Sequence, residues 1–434
     1  MFGERVRRRI YWCLDFLKGN KVYRHYRKIK RIMEHPDQVE SYQREKKEQL
    51  LTFATENVEF YKRFQGKPWE EYPIINKNIV KEHWEEMKSS LANGKVYQLH
   101  TSGTTGTPFL ILQDVNKRNH VLAEMIYFWG TAGYRVGMKY IYFRIWTKIN
   151  RKSKFTCFCR NLIMEDIQVM DVENLERIRN RLKSNKKIGM LLGYSSTFEC
   201  LAEYLLSKND RADMFSVTVV ISMAEVLKET TREKLRKVFG CKVVSLYSNQ
   251  ENGMLGIECG KAKEFHLNLA SFYYEFLKLD REEPAEEGEL CRIVITDFYN
   301  YAMPLIRYDT QDLGVVKRRA ECGWDTLVVE SIDGKRADLI YDTQDRPLSP
   351  WTFSVRMWKF DKVKQFQFVQ NGRTEYVLRL VGAKEYYEDE EILAYIKNII
   401  GMDANVTLEH TSHIPPCPSG KYRMVVNQYK GVDR

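Results

Sequence analysis

Between Lys95 and about Asp333, short apolar runs alternate with helical patterns, and this alternation narrows the fold more than any other feature of the chain. The runs YIYFRIW, GMLLGY, VTVVIS, KVVSLY and ELCRIVIT are rich in β-branched and aromatic residues and read as strands. Between them, NLERIRNRLKSN, TFECLAEYLLSK and TTREKLRKVF place apolar residues three and four apart and read as helices. A strand that is followed by a helix and then by another strand predicts an α/β domain with substantial parallel sheet. From about Arg336 the pattern becomes α+β. KQFQFVQNGRTEYVLRLV reads as a hairpin turning at Asn371-Gly372. YEDEEILAYIKNIIG reads as a helix that starts with acids and stops at Gly401, and strands are expected near NVTLEH and YRMVVNQY.

With 434 residues, 44% of them hydrophobic and 13% aromatic, the chain exceeds one compact core. Three segments are expected: a basic amphipathic arm over 1–44, a large domain over 45–335, and a small mobile domain over 336–434. Within the large domain, SYQREKKEQLLTFATENVEFYKRF reads as one amphipathic helix, and YPIINKNIVKEHWEEM as a loop entering another. No run approaches the length of a membrane-spanning helix. The nine cysteines are scattered without a framework spacing and no secretory leader is legible, so a reducing, cytoplasmic setting is the expectation.

The net charge of +11 is unevenly placed. Residues 1–32 hold eleven Lys or Arg against Glu4 and Asp15, a net +9, which leaves +2 for everything else. Phe2, Val6, Ile10, Leu14 and Leu17 recur at helical spacing among these charges. That pattern suits a helix lying on the inner face of an anionic membrane or against an acidic partner. It equally suits a solvated helix packed on its own domain. No nucleic-acid-binding module accompanies the arm, so no specific nucleic-acid partner is expected.

The segment LHTSGTTGTPFLIL spends Thr101, Ser102, Gly103, Thr104, Thr105 and Gly106 on one turn between two extended segments. Glycines let a backbone approach a ligand closely, and successive N–H groups with hydroxyls make a nest for a polyphosphate. By composition alone a solvated Ser/Thr loop is as good a reading. The order of residues adds to it. TSGTTGTP resembles the phosphate-binding signature of the adenylate-forming superfamily, which includes acyl-CoA synthetases, adenylation domains and luciferases.

Other motifs of that superfamily follow in order. SLYSNQENG resembles its Tyr-x-x-x-Glu segment, which implies Tyr247 against adenine and Glu251 as a Mg²⁺ ligand. PLIRYDTQDLG resembles the segment in which Asp312 would accept the ribose hydroxyls, while Arg307 would brace the phosphates or pair with an acid. Gln311 stands where glycine is usual, so a different local turn is expected. DGKRADLI resembles the interdomain hinge, with Arg336 as a ribose or phosphate contact and Asp338 as pivot. CPSGKYR resembles a shortened form of the terminal lysine motif, which implies Lys421 as the catalytic cation between carboxylate and α-phosphate.

LLGYSSTFECLA and VVISMAEVL resemble the phenylacetate–CoA ligase branch and its capsular-polysaccharide-associated members. That likeness implies Ser222 and Ala224 beside adenine. The activity implied is ATP- and Mg²⁺-dependent activation of a small carboxylic acid to an acyl-adenylate, with pyrophosphate released and the acyl group passed to CoA or a carrier-protein thiol. A place in surface-polysaccharide biosynthesis goes with that resemblance. Transfer of AMP to a hydroxyl without a thioester is the alternative enzyme, and a nucleotide-binding scaffold at a membrane is the non-catalytic one. Some members of the branch hold zinc with a Cys, a His and a later Cys-x-Cys-Gly. Here Cys259, His266 and Cys322 match, but Ala320 replaces a cysteine, so free thiols are favoured over zinc.

Overall fold

A computed structural model describes residues 2–101, 109–148, 150–261, 263–317, 320–324, 326–335, 340–348, 357, 360, 362, 363–382, 384, 386–415 and 423–429. The phosphate-loop residues Ser102, Gly103, Thr104, Thr105 and Gly106, together with Arg336, Asp338 and Lys421, lie outside the described residues, and of Thr101 only the backbone is described.

The chain opens with helices α1 (Phe2–Leu17), α2 (Lys21–Glu34), α3 (Val39–Asn57), α4 (Glu59–Lys62) and α5 (Lys77–Glu82). Strands β1 (Val96–Thr101) and β2 (Phe109–Asp114) pair antiparallel, and α6 (Val115–Ala132) follows, capped by the Asp114 carboxylate on Lys117 N at 2.7 Å. Next come β3 (Lys139–Arg144), α7 (Lys154–Arg160), β4 (Leu162–Asp166), α8 (Val172–Ser184), β5 (Ile188–Tyr194) and α9 (Ser195–Ser207). Then follow β6 (Val219–Met223), α10 (Glu229–Phe239) and β7 (Lys242–Asn249).

These five strands run parallel in the order β4-β3-β5-β6-β7. Both faces of this part of the sheet are covered, so alternate residues enter two different cores. Met190, Leu192, Val219, Ile221 and Val244 face α6, with Ala123, Phe128 and Trp129 in the same cluster. Leu191, Val220 and Val243 face α8, α9 and α10, through Ile178, Leu201 and Leu235. That is why GMLLGY carries no polar alternation.

The sheet continues antiparallel through β8 (Gly253–Glu258), β9 (Phe265–Leu267), β13 (Val328–Lys335), β12 (Tyr308–Lys317), β11 (Leu290–Asp297) and β10 (Phe272–Leu277), eleven strands among the described residues. The expected α/β domain is therefore a mixed sheet. Its expected small companion has its own core. After the short β14 (Ile340–Tyr341) and β15 (Pro347–Leu348), β16 (Gln365–Gln370), β17 (Glu375–Val381), β18 (Asn405–His410) and β19 (Val425–Asn427) form a sheet in the order β18-β17-β16-β19. Helix α11 (Asp389–Ile400) packs Ile392, Ile396 and Ile400 against it and ends at Gly401, whose φ of 120° only glycine takes freely.

Three local expectations change. The long amphipathic helix breaks at Val58, which is fully buried and extended, and bridges to Ser89 before α4 begins. The hairpin turn is longer than Asn371-Gly372: Gln370 pairs with Tyr376, and Asn371 N donates to Glu375 O at 2.9 Å. Helix α2 is part of the large domain, because it packs along α6 and buries Val22, Ile29, Ile32 and Met33 in the same core as β5 and β6. Its cations point outward around that anchored stripe.

The burial of α2 makes a stability prediction. Ile29 has no exposed surface, so Ile29→Ala should lower the unfolding free energy by about 2–4 kcal/mol in a denaturant titration. Lys30→Ala removes only an exposed 3.8 Å pair with Glu34 and should stay within about 0.5 kcal/mol of the parent.

Candidate active site

Parallel strands β6 and β7 end at the same edge of the sheet, the usual position for a ligand site in such folds. Ser222 and Ala224 sit at the end of β6, and Tyr247 and Glu251 at and beyond the end of β7. Across the sheet, β12 carries Tyr308 and Asp312, and Arg307 stands just before it. Between the pairings Val294–Asp309 and Arg292–Leu313, β12 has two more residues than β11, and in this bulge Asp312 leaves the pairing with β11 while it stays paired with Lys335 of β13.

The two segments are then tied crosswise. The Tyr247 hydroxyl donates to Asp312 Oδ2 at 3.0 Å, and the Tyr308 hydroxyl donates to Glu251 Oε1 at 3.1 Å. Each carboxylate is therefore held by a phenol from the other segment. Burial pushes both phenols well above their ordinary pKa, and the facing carboxylates push the same way, so both stay protonated donors.

Glu251 is buried, which rules out a merely exposed acid after a strand. Lys77 Nζ lies 2.7 Å from its Oε1, and Gln113 Nε2 donates to its backbone oxygen at 2.8 Å. Lys77 is delivered by two constraints. Asn76 caps α5 by accepting from Asn78 N and Ile79 N, and Ile75 exchanges backbone bonds with Arg307 O and Asp309 N. The same ammonium stands 5.6 Å from the Phe109 ring centroid. A buried carboxylate matched by one cation fits a Mg²⁺ site, because the ammonium already occupies the place of a positive charge. No pattern in INKNIV marks Lys77, nor does any in FLILQD mark Gln113. Tyr308 was legible only as the neighbour of Arg307.

Three non-glycine residues of the site adopt left-handed backbone: Ala224 at φ 67°, Arg307 at 50° and Gln311 at 61°. Gln311 thus takes the conformation that glycine takes most easily, and the expectation of a different turn gives way. Asp309 Oδ1 accepts from Gln311 N at 2.7 Å and Thr310 Oγ1 from Asp312 N at 3.1 Å, which hold the turn. Of the two readings of Arg307, the structure has the acid pair. Its guanidinium is buried against Glu275 at 3.1 Å and donates to Tyr72 O at 2.7 Å, so it is engaged away from a phosphate role. Ser222 Oγ is buried and has no hydrogen-bond partner among the described residues. Beside it, Glu225 Oε2 accepts from Ser196 N at 2.8 Å.

Behind the Glu251 turn lies a carboxylate that no motif marks. Glu124 Oε2 accepts from Met254 N at 3.2 Å, while Asn268 Nδ2 donates to Met254 O at 2.8 Å. A Cβ on Gly253 would meet that same Glu124 oxygen at 2.6 Å, so glycine is required where the chain leaves the turn. Burial raises the Glu124 pKa to about 7, against the opposing pull of Lys117.

The sulfur ligands expected for a metal do come together. Ligand atoms of Cys259, His266 and Cys322 all lie within 4.8 Å of one another, and Thr326 Oγ1 fixes His266 Nδ1 at 2.7 Å. Burial lowers the His266 pKa to about 4, which keeps the imidazole neutral, the form that ligates. The set fits three corners of a zinc tetrahedron; the residue that would supply the fourth is Ala320.

Comparison with known proteins bears on the fold. Residues 340–428 match the CapK C-terminal domain. Over 96% of its length the chain is 24% identical to protein CapK of Staphylococcus aureus, covering 95% of that protein. The chain has the fold of the adenylate-forming CoA ligases. It is also 22% identical to the phenylacetate–coenzyme A ligase of Thermus thermophilus, over 91% of this chain and 97% of that one. Among solved structures, 2-hydroxyisobutyryl-CoA ligase in its postadenylation state with R3-HIB-AMP superposes with a TM-score of 0.69 at 14% identity, over 88% of this chain and 87% of that one. The fold likeness thus covers most of the chain rather than one domain of it.

Glu124 makes the site's stability depend on pH. Its folded pKa, about 7, lies above its ordinary value of 4.5. The unfolded chain therefore loses this proton first, and stability from Glu124 is full below pH 4.5 and is lost as pH rises through 7. Glu124→Gln should remove that component. The stability of Glu124→Gln relative to the parent should rise by about 2–3 kcal/mol between pH 4.5 and 7.5, read from denaturant midpoints across that range.

Proposed function

We propose that this chain is an ATP-dependent acid–thiol ligase that forms an acyl-adenylate. The observation that carries the proposal is the crossed pairing of Tyr247 with Asp312 and Tyr308 with Glu251. Two segments some sixty residues apart are locked so that a hard-cation ligand and a ribose-binding carboxylate share one strand edge. Such a pair is what a nucleotide with a metal-bound triphosphate needs at its two ends.

In the first half-reaction an oxygen of the acid carboxylate bonds to the ATP α-phosphorus, and the bond from that phosphorus to pyrophosphate breaks. Glu251 would hold Mg²⁺, which supplies neutralisation of phosphate charge. Asp312 would accept both ribose hydroxyls, and Tyr247 keeps Asp312 turned to do so. Ser222 and Ala224 would border the base. The turn Thr101–Gly106 would cradle the phosphates through backbone N–H groups and hydroxyls, and Arg336 would reach ribose or phosphate. Lys421 would sit between the acid and the α-phosphate, where negative charge develops. In the second half-reaction a thiol sulfur, from CoA or a carrier-protein pantetheine, bonds to the acyl carbon. The bond from that carbon to AMP breaks, and the thiol proton leaves to solvent.

Likeness to 2-hydroxyisobutyryl-CoA ligase and to the phenylacetate–coenzyme A ligase of Thermus thermophilus, both named for coenzyme A, favours a thiol over a hydroxyl acceptor. The sequence resemblance to capsular-polysaccharide-associated members suggests surface-polysaccharide assembly as the place of the product. The acid is best sought by screening a carboxylic-acid library for acid-dependent ATP–pyrophosphate exchange, with and without CoA.

Lys421→Ala should lower that exchange by at least about 100-fold while ATP binding stays near the parent value. Unchanged exchange would remove Lys421 from the reaction. CoA consumption with thioester formation is the expected outcome of the full reaction, and a stable AMP-bearing product without CoA consumption would replace the ligase with a nucleotidyl transferase.

A further inference from the structure

Helix α1 is packed by its polar side. Glu4 pairs with Arg135 at 2.8 Å, and its backbone oxygen lies 2.6 Å from where a Cβ on Gly137 would be. Asp15 is buried and accepts from Val22 N at 3.1 Å and Tyr23 N at 2.9 Å. Trp12 meets the Tyr23 and Tyr26 rings at 5.2 and 5.8 Å. Away from these contacts the helix carries an apolar side that remains accessible. Val6, Ile10, Leu14 and Leu17 are spaced by four, four and three, which puts them on one stripe. They are 38%, 52%, 47% and 74% exposed.

A surface helix of a folded domain ordinarily buries its apolar stripe, as α2 does with Ile29 and Ile32. Helix α1 does the reverse. The apolar area widens at α7, where Phe155 and Phe158 are 76% and 67% exposed. Arg7 joins the two helices by donating to Phe158 O at 2.8 Å, with its guanidinium 4.8 Å from that ring. Exposed cations border the area: Arg5 and Arg9 along one flank of the stripe, Lys18 beyond its end, and Lys154 on α7. Both acids of α1, Glu4 and Asp15, are engaged on the packed side.

We propose that this stripe is a docking surface for an anionic lipid bilayer, with α1 lying in the interface plane. Apolar side chains would enter the acyl boundary while the flanking arginines meet lipid headgroups. Charge decides the occupant. A second copy brought face to face across α1 would set Arg5 and Arg9 against their equals, a like-charge contact in a desolvating interface. An anionic bilayer answers the same cations with opposite charge and answers the apolar stripe with hydrocarbon. The concentration of +9 within residues 1–32, against +2 in all the rest, places the attraction beside the stripe. No helix among the described residues is long and apolar enough to cross a membrane, so the contact is peripheral.

The test is flotation of the full chain with vesicles of phosphatidylcholine alone or with one third phosphatidylglycerol, at low and high salt. The parent should float with the anionic vesicles at low salt and remain in solution with neutral ones. Ile10→Glu/Leu14→Glu and Arg5→Glu/Arg9→Glu should each reduce the bound fraction by at least about tenfold. Both variants should keep the parent's thermal midpoint, since neither alters the packed side of α1. Equal binding to neutral vesicles, or binding that neither variant weakens, would overturn the proposal. So would an equilibrium sedimentation result in which the stripe makes a dimer that vesicles do not bind.

Discussion

Burial of the parallel strands on both faces is the constraint on which the rest of this molecule depends. Met190, Leu191 and Leu192 alternate between two cores, as do Val219, Val220 and Ile221. Neither core can be removed without exposing half of every strand, so α6 on one side and α8, α9 and α10 on the other are obligatory. Covered faces leave only the strand ends for chemistry. The polar groups gathered around Glu251 and Asp312 come from such ends, from β12 and its bulge, from Gln113 on β2, and from the segment around Ile75 that is stitched to β12 by two backbone bonds.

A site assembled from ends needs local strain, and the molecule holds it in identifiable ways. Left-handed backbone at a residue with a Cβ costs on the order of 1–2 kcal/mol, and Ala224, Arg307 and Gln311 all adopt it. Arg307 is fixed by burying its guanidinium against Glu275 and Tyr72 O, which turns a conformational cost into the anchor of the whole segment. Gln311 is fixed by the side chain two residues before it. The Glu251 turn is clamped from behind, where Glu124 and Asn268 take both backbone groups of Met254. Removing such supports would leave the motif residues present but misaligned, which is why they matter to a site they do not line.

Charge is divided by function across the same architecture. Inside, cations answer buried acids: Lys77 on Glu251, Lys117 on Asp297 at 2.8 Å, and Arg232 on Glu258 at 2.9 Å, with Glu229 also on Arg232 at 3.2 Å. These pairs neutralise buried carboxylates and contribute nothing to net charge, in keeping with the +2 of residues beyond 32. Outside, α1 and α2 carry cations with few acids to answer them. Helix α2 is nonetheless bound by burial of its apolar stripe, so the excess charge is presented from a rigid support rather than from a loose tail.

Periodicity made the parallel strands and the helices between them legible, because burial on both faces erases polar alternation in GMLLGY and concentrates apolar residues at helical spacing in NLERIRNRLKSN. Val58 was not legible as a break, since its helical neighbours supply a continuous pattern and only its bridge to Ser89 interrupts it. Glu251 and Asp312 could be singled out because each lies in an ordered motif, and the structure adds how their segments are joined: Tyr247 and Tyr308 cross between them. Lys77, Gln113 and Glu124 escaped because each comes from a different element and carries no local spacing. What assigns them is contact with Glu251 or with the strand that leaves it, and contact between distant elements is not written in a linear pattern. The same limit explains α1. Its amphipathic stripe is plain in the sequence, but which side of it the fold would cover depended on Arg135, Gly137 and Tyr23, none of which a helical wheel can see.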